Sequence, residues 1–239
     1  MSFHLDLKAA AALLHMQENE LRHFAQREEV ASIKRGDEFL FERKLLCEWA
    51  QRRVMSLNEK KLSGEHRLEI NERRKSNGKD FHVADLLPIE GIDIDLTAKA
   101  RGGVLRDMTD LADSTGLLYD PELLFAELTA REEVASTAIG GGAAFLHAKY
   151  HDPYMVQESF IALGRSRKPI FFGAQDGSAT DLFFLICCSN YSLHLHVLSR
   201  LCLLAHGTNL FNEMRLAQSP EEMHEILKTT EDKFLNGIL

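Results

Sequence analysis

Residues Arg131 to Lys149 read Arg-Glu-Glu-Val-Ala-Ser-Thr-Ala-Ile-Gly-Gly-Gly-Ala-Ala-Phe-Leu-His-Ala-Lys, and chemistry concentrates at His147. The triplet Gly140, Gly141 and Gly142 is separated from that imidazole by Ala143, Ala144, Phe145 and Leu146. Glycines let backbone amides approach a ligand closely, and successive N–H groups make a nest for anionic oxygens. A phosphoryl group suits such a place. Taken alone, a histidine after an apolar run is more often a satisfied structural group. His151 follows four residues later, a spacing that on a helix would offer two zinc ligands. The glycines before and Asp152-Pro153 after argue against a helix there, so no metal is expected. A hydrolase using Ser136 or Ser199 is disfavoured because no nucleophile elbow is present.

Further motifs lie to either side. Upstream stands Tyr119-Asp120-Pro121-Glu122-Leu123-Leu124, then Arg131-Glu132 with Ser136-Thr137-Ala138-Ile139-Gly140. Downstream come Lys168-Pro169-Ile170-Phe171-Phe172, Asp181-Leu182-Phe183-Phe184-Leu185 and His194-Leu195-His196-Val197-Leu198-Ser199. In this order, over roughly Asp85 to Phe234, they resemble the type-2 enzyme IIA of the bacterial sugar phosphotransferase system, its mannitol/fructose and nitrogen-regulatory branch. Leu146 stands where that family usually has proline before the histidine.

The resemblance implies that His147 accepts a phosphoryl group from the histidine-containing phosphocarrier protein, which would make the chain a phosphotransferase component. It implies that His194 orients or hydrogen-bonds the phosphoryl oxygens, with His196 as the alternative in register. A neutral imidazole, with a pKa near ~6.5, has a nitrogen available both to attack phosphorus and to surrender it. Transfer needs positioning and charge stabilisation more than covalent help. Arg131 is the expected charge partner, Ser136, Thr137 and the Gly140–Gly142 amides the pocket, and Lys149 a neutraliser of the added charge. No cofactor is expected. The competing class is a non-catalytic regulator or interaction module that keeps the fold without phosphotransfer, and Leu146 is the feature pointing to it.

The elements that must position these groups are legible from periodicity. Ile92, Ile94 and Leu96 alternate with Asp93 and Asp95, which predicts a strand. Val104, Leu105, Met108, Leu111 and Ala112 recur at helical spacing, with Gly116 as terminator. Asp120-Pro121 reads as a cap followed by a first-turn proline. Strands are expected at Val156–Leu163 and Leu182–Cys188, a helix at Leu193–Ala205, and a capped helix start at Ser219-Pro220-Glu221-Glu222. Isolated charges such as Arg215 and Lys228 are taken as solvated. Strands interleaved with helices predict an α/β domain over residues 84–239, a mixed sheet with helices on both faces.

Residues 1–54 read as helix, helix, β-wing, helix, with the wing turn at Arg35-Gly36-Asp37. The wing, the alternating Phe39 and Phe41, and Leu46 with Trp49 resemble the excisionase-like branch of winged helix-turn-helix domains. That implies duplex DNA as a partner, with Arg22, Arg27, Lys34 and Arg35 as candidate contacts. Protein contact is the alternative role, and Glu18-Asn19-Glu20 places acid near the expected recognition helix. Residues 55–83 read as a polar linker, with a solvated helix over Glu59–Lys75 as the alternative.

Hydrophobic content of 45% is enough for real cores. Charge is uneven: residues 1–78 hold 15 Lys/Arg against 13 Asp/Glu, and the remainder 13 against 23, so the two parts should meet different partners. The four cysteines lack metal-site spacing and read as buried thiols. No secretory signal opens the chain and no apolar stretch is long enough to cross a bilayer, so the expected location is cytoplasmic, with regulatory proteins as further partners.

Overall fold

The structure, a computed structural model, describes residues 4–14, 16–56, 81–150 and 154–237. It packs as two units. One comprises residues 1–80 together with Tyr191–Ser199, the other residues 81–190 with 200–239.

The first unit runs β1 (His4–Asp6), α1 (Leu7–Leu13), α2 (Glu18–Gln26), β2 (Ile33–Arg35), β3 (Glu38–Glu42), α3 (Arg43–Ser56). Asp6 caps α1 by accepting from the Ala9 N–H at 2.7 Å. The three strands pair antiparallel in the order β1-β3-β2. Leu7, Ala10, Leu21, Ala25, Phe39, Phe41 and Leu46 make the core. Arg53 bonds Glu20 at 3.1 Å and lies over the Phe24 and Trp49 rings, fastening α3 to α2. Helix, helix, hairpin and helix follow in the expected order. Strand β1 was not expected, because three residues are too few to show an alternation.

The second unit begins earlier than the expected linker end. Val83 and Ala84 are buried at the start of a 3-10 turn, Val83–Leu86, and both donate their N–H groups to the Glu231 carboxylate at 2.9 and 3.0 Å. Glu231 also pairs with Arg200 at 2.6 Å, and both side chains are fully buried. The remainder of the linker, residues 57–80, and with it the alternative of a helix over Glu59–Lys75, lies outside the described residues.

Onward run β4 (Ile92–Leu96), α4 (Arg101–Ser114), α5 (Pro121–Val134), β5 (Ala138–Ile139), β6 (Ala143–His147), β7 (Phe160–Ile170) and β8 (Thr180–Cys187). Three helices close the chain, α6 (Tyr191–Gly207), α7 (Leu210–Leu216) and α8 (Pro220–Leu235). The five-stranded sheet has order β4-β7-β8-β6-β5 and is mixed: β4 and β7 run parallel, as do β8 and β6, while the other pairs are antiparallel. Alternation along each strand divides its two faces. Ala144, Leu146, Phe183 and Leu185 pack with Val104, Leu105 and Met108 of α4 and Leu124 and Leu128 of α5. Phe145 and Phe184 point the other way and stack with Phe211 of α7, so helices cover both faces. Asp120 caps α5 and Ser219 caps α8 as their sequences predict.

Strand β7 corrects the expected Val156–Leu163. It starts at Phe160 and absorbs the later segment to Ile170, its register against β8 shifting between Arg165 and Ile170 across Lys168 and Pro169. Arg165 sends its guanidinium to the Ile94 carbonyl and to those of Met214, Arg215 and Ala217 at the end of α7. Gly164 lies where any Cβ would collide with Leu96 and Met108. Gly164→Ala is therefore expected to cost about 1–3 kcal/mol, the usual range for overpacking, read as a lower urea midpoint. An unchanged midpoint would mean that these two side chains have slack.

Candidate functional site

His147 is the last residue of β6 and is fully buried. Its Nδ1 stands 2.8 Å from the Phe145 carbonyl oxygen, which can only accept, so Nδ1 carries the proton. Nε2 is then the lone-pair nitrogen, and Arg131 Nε donates to it at 3.1 Å. The same guanidinium donates from Nη1 to the Ala135 carbonyl at 2.7 Å. Arg131 lies in the last turn of α5, where a cation also faces the negative end of the helix. A buried guanidinium touching a lone-pair nitrogen is placed to stabilise negative charge arriving there.

The Ser-Thr segment runs back along β6. Thr137 accepts from the Phe145 N–H at 3.1 Å, and both its own N–H and its hydroxyl donate to Glu132. Glu132 is buried, and burial pushes its carboxyl above the ordinary range, opposed by the bonds from Thr137 and the nearby Arg131 and Arg101. Ser136 donates instead to the Phe172 carbonyl at 2.8 Å, which also accepts from Arg101. Glu132 therefore holds the turn that Arg131 reaches across. Its signal was the Arg-Glu pair itself, in which sequence reasoning gave a role only to the arginine.

The glycine triplet does not join this cluster. Gly140–Gly142 form the β5–β6 turn at the opposite end of β6 from His147, five residues away, roughly 16 Å at strand rise. They are a hairpin device: Gly141 and Gly142 have φ of +84° and +82°, and Gly142 has no room for a Cβ beside Arg215 and the Ala179 carbonyl. The amide nest expected at the phosphoryl pocket is thus corrected to a turn. Arg215 is not a solvated charge either. It bonds Asp181 at 2.7 Å and the Gly141 carbonyl at 2.6 Å, clamping the turn to the sheet.

Lys149 is half-buried beyond the end of β6, its N–H bonded to the Glu127 carbonyl at 3.3 Å and its ammonium 5.3 Å from the Tyr150 ring centroid. His151 lies outside the described residues, among which no group of three His, Cys, Asp or Glu is disposed to hold a metal. His194 and His196 are both buried on α6, in the part that groups with the N-terminal unit. Two residues apart on a helix, they point to opposite faces and cannot serve one spot together. On the first unit, Lys34, Arg35 and Arg27 are exposed and Arg22 half-buried, and Arg27 pairs with Glu29 at 3.0 Å. All four cysteines are free and buried. Among the described residues no helix is long and apolar enough to cross a membrane.

The family described as phosphoenolpyruvate-dependent sugar phosphotransferase system, EIIA 2, matches residues 85–230. The chain is 33% identical over 118 residues to the nitrogen regulatory protein of Escherichia coli (strain K12), covering 48% of this chain and 71% of that protein. It is 29% identical over 147 residues to the PTS system fructose-specific EIIABC component of Bacillus subtilis (strain 168), covering 61% of this chain but 23% of that longer protein. The crystal structure of nitrogen regulatory protein IIA-Ntr from Neisseria meningitidis superposes with a TM-score of 0.51 at 26% identity, over 61% of this chain and 98% of that one. That of IIA mannitol from Escherichia coli shares the fold, with a TM-score of 0.52 at 19% identity over 59% and 98% of the two chains. With a buried histidine at a strand end, an arginine on its lone pair and a match over more than half its length, the chain belongs to the EIIA type-2 family of the phosphoenolpyruvate-dependent sugar phosphotransferase system.

Proposed function

We propose that this protein is a regulatory phosphocarrier that takes a phosphoryl group from the phosphohistidine of the histidine-containing phosphocarrier protein onto Nε2 of His147. The observation that carries this is the pair of bonds on the imidazole, which fixes the proton on Nδ1 and turns the lone pair of Nε2 toward Arg131. In the transfer a bond forms between Nε2 and phosphorus as the donor's nitrogen–phosphorus bond breaks, and the donor imidazole leaves with that electron pair. Nδ1 keeps its proton on the Phe145 carbonyl throughout. Arg131 moves from Nε2 to the phosphoryl oxygens, and His194 assists in orienting them. Because His147 is fully buried, the site must open to admit the donor. The nitrogen-regulatory relatives favour a regulatory output over sugar transport.

Incubation with the phosphocarrier, enzyme I and phosphoenolpyruvate tests this. One acid-labile, alkali-stable phosphate per chain is expected, with His194→Ala slowing its appearance. The full burial of His147 favours the alternative, an interaction module without phosphotransfer, and a chain that stays unlabelled under conditions that label an authentic enzyme IIA establishes it.

A second role rests on the exposed Lys34 and Arg35 of the β2–β3 hairpin, placed after two helices as in a winged helix-turn-helix domain. The full chain is expected to bind duplex DNA weakly, with affinity falling steeply between about 50 and 200 mM salt as phosphate-bound counterions are released. Lys34→Ala with Arg35→Ala should flatten that dependence. Absence of binding at low salt assigns the unit to protein contact.

A further inference from the structure

Both bonds on the His147 imidazole trace back to one short stretch of chain, residues 131–137, where α5 ends and β5 begins. Arg131 supplies one side, its guanidinium spanning from Nε2 of His147 to the Ala135 carbonyl. The other side runs through three residues in series. Nδ1 donates to the Phe145 carbonyl, and the Phe145 N–H donates to the Thr137 carbonyl at 3.1 Å. Thr137 in turn gives its N–H, at 2.9 Å, and its hydroxyl to Oε1 of Glu132. Glu132 follows Arg131 in the last turn of α5, so one carboxylate ties the helix end that carries the guanidinium, through Thr137, to the strand that carries the imidazole. Thr137 is fully buried and Glu132 nearly so. The second oxygen, Oε2, is buried and accepts no hydrogen bond from the described residues, a condition that costs stability. An apolar side chain would fill the same space without that cost. What it would lack is an acceptor for the backbone N–H of Thr137, and with it a fixed place for the Phe145 carbonyl.

We propose that Glu132 is a positioning residue for phosphotransfer, holding the His147 imidazole in the tautomer and the place that present Nε2 to the donor. It acts through Thr137 and Phe145 rather than on the reacting atoms. Once the Phe145 carbonyl is free to shift, it no longer selects a proton on Nδ1, and an imidazole with its proton on Nε2 has no lone pair there for phosphorus. This rests on the reading above that Nε2 of His147 accepts the phosphoryl group.

The test uses the full chain with nitrogen-15 in its histidines, the His147 resonances being identified by their loss in His147→Gln. The parent should show a protonated Nδ1 and an unprotonated Nε2. Glu132→Ala and the longer Glu132→Met both remove the acceptor, and having two guards against one that does not fold. Each should move His147 to a mixture of tautomers and slow its labelling about 10- to 100-fold, the scale of loss from a small misplacement of a reacting group. Glu132→Gln keeps an oxygen in the place of Oε1 and puts its NH₂ where Oε2 meets no donor, so tautomer and rate should return to near the parent values. A role confined to stability would lower the urea midpoint yet leave both unchanged in the folded chain, and that result for Glu132→Ala or Glu132→Met overturns the proposal. So does a Glu132→Gln chain as impaired as Glu132→Ala. A parent chain that takes no label overturns the phosphocarrier reading instead, and the role of Glu132 in transfer falls with it.

Discussion

Replacement of His147 by alanine is expected to remove phosphoryl acceptance completely. His194 and His196 are not expected to take over, since both are buried on α6 and the pair of bonds that singles out a lone-pair nitrogen is made at His147. Alanine also leaves the buried Arg131 Nε without its acceptor, which should cost about 1–3 kcal/mol of stability. His147→Gln separates the two effects. Its amide oxygen is able to receive Arg131, so the fold should recover most of that loss while labelling stays at zero. Arg131→Ala is expected to slow transfer by roughly 10²–10³, as removal of an oxyanion donor typically does. Acid-labile phosphate counted against protein, with urea midpoints in parallel, checks all three, and residual label on His147→Ala would take that residue out of the mechanism.

The largest effect on stability is expected at Arg200. Breaking a buried ion pair by removing one partner costs about 3–5 kcal/mol, because the other charge is left uncompensated. Arg200→Ala strands a carboxylate that is fully buried, so the thermal midpoint should fall by roughly 6–20 °C at this chain length. Glu231→Gln should also be severe. An amide offers one oxygen, so its NH₂ must face either a backbone N–H of Val83 or Ala84 or the guanidinium, and a donor meets a donor. A midpoint within 2 °C of the parent for Arg200→Ala would mean that water reaches Glu231.

Legibility in the sequence followed the range of the interaction. The helix starts at Asp120 and Ser219, the strand at Ile92 and the Arg131–His147 pairing rest on local periodicity, caps and one motif, and all four are present in the fold. Groups that meet only through tertiary contact were opaque. Arg215 looked solvated because Asp181 and Gly141, which it binds, are 34 and 74 residues away. The glycine triplet misled for a related reason: proximity in sequence to His147 becomes distance when the intervening residues extend as a strand. Glu231 and Val83 lie 148 residues apart, and neither carries a local sign of the other.

Arg165 sets a limit on how the chain can drift. Four carbonyl oxygens from two separate elements converge on one planar cation, reached from Nε on one side and Nη1 on the other. An ammonium has donors at a single point and cannot span that separation, so lysine is no substitute there. Any descendant that keeps the β4–β7 pairing and the end of α7 is bound to keep arginine at this position. One that loses the arginine must rebuild both, which makes this single codon a marker of whether the carboxyl-terminal helices of a distant homologue still dock on the sheet in the same way.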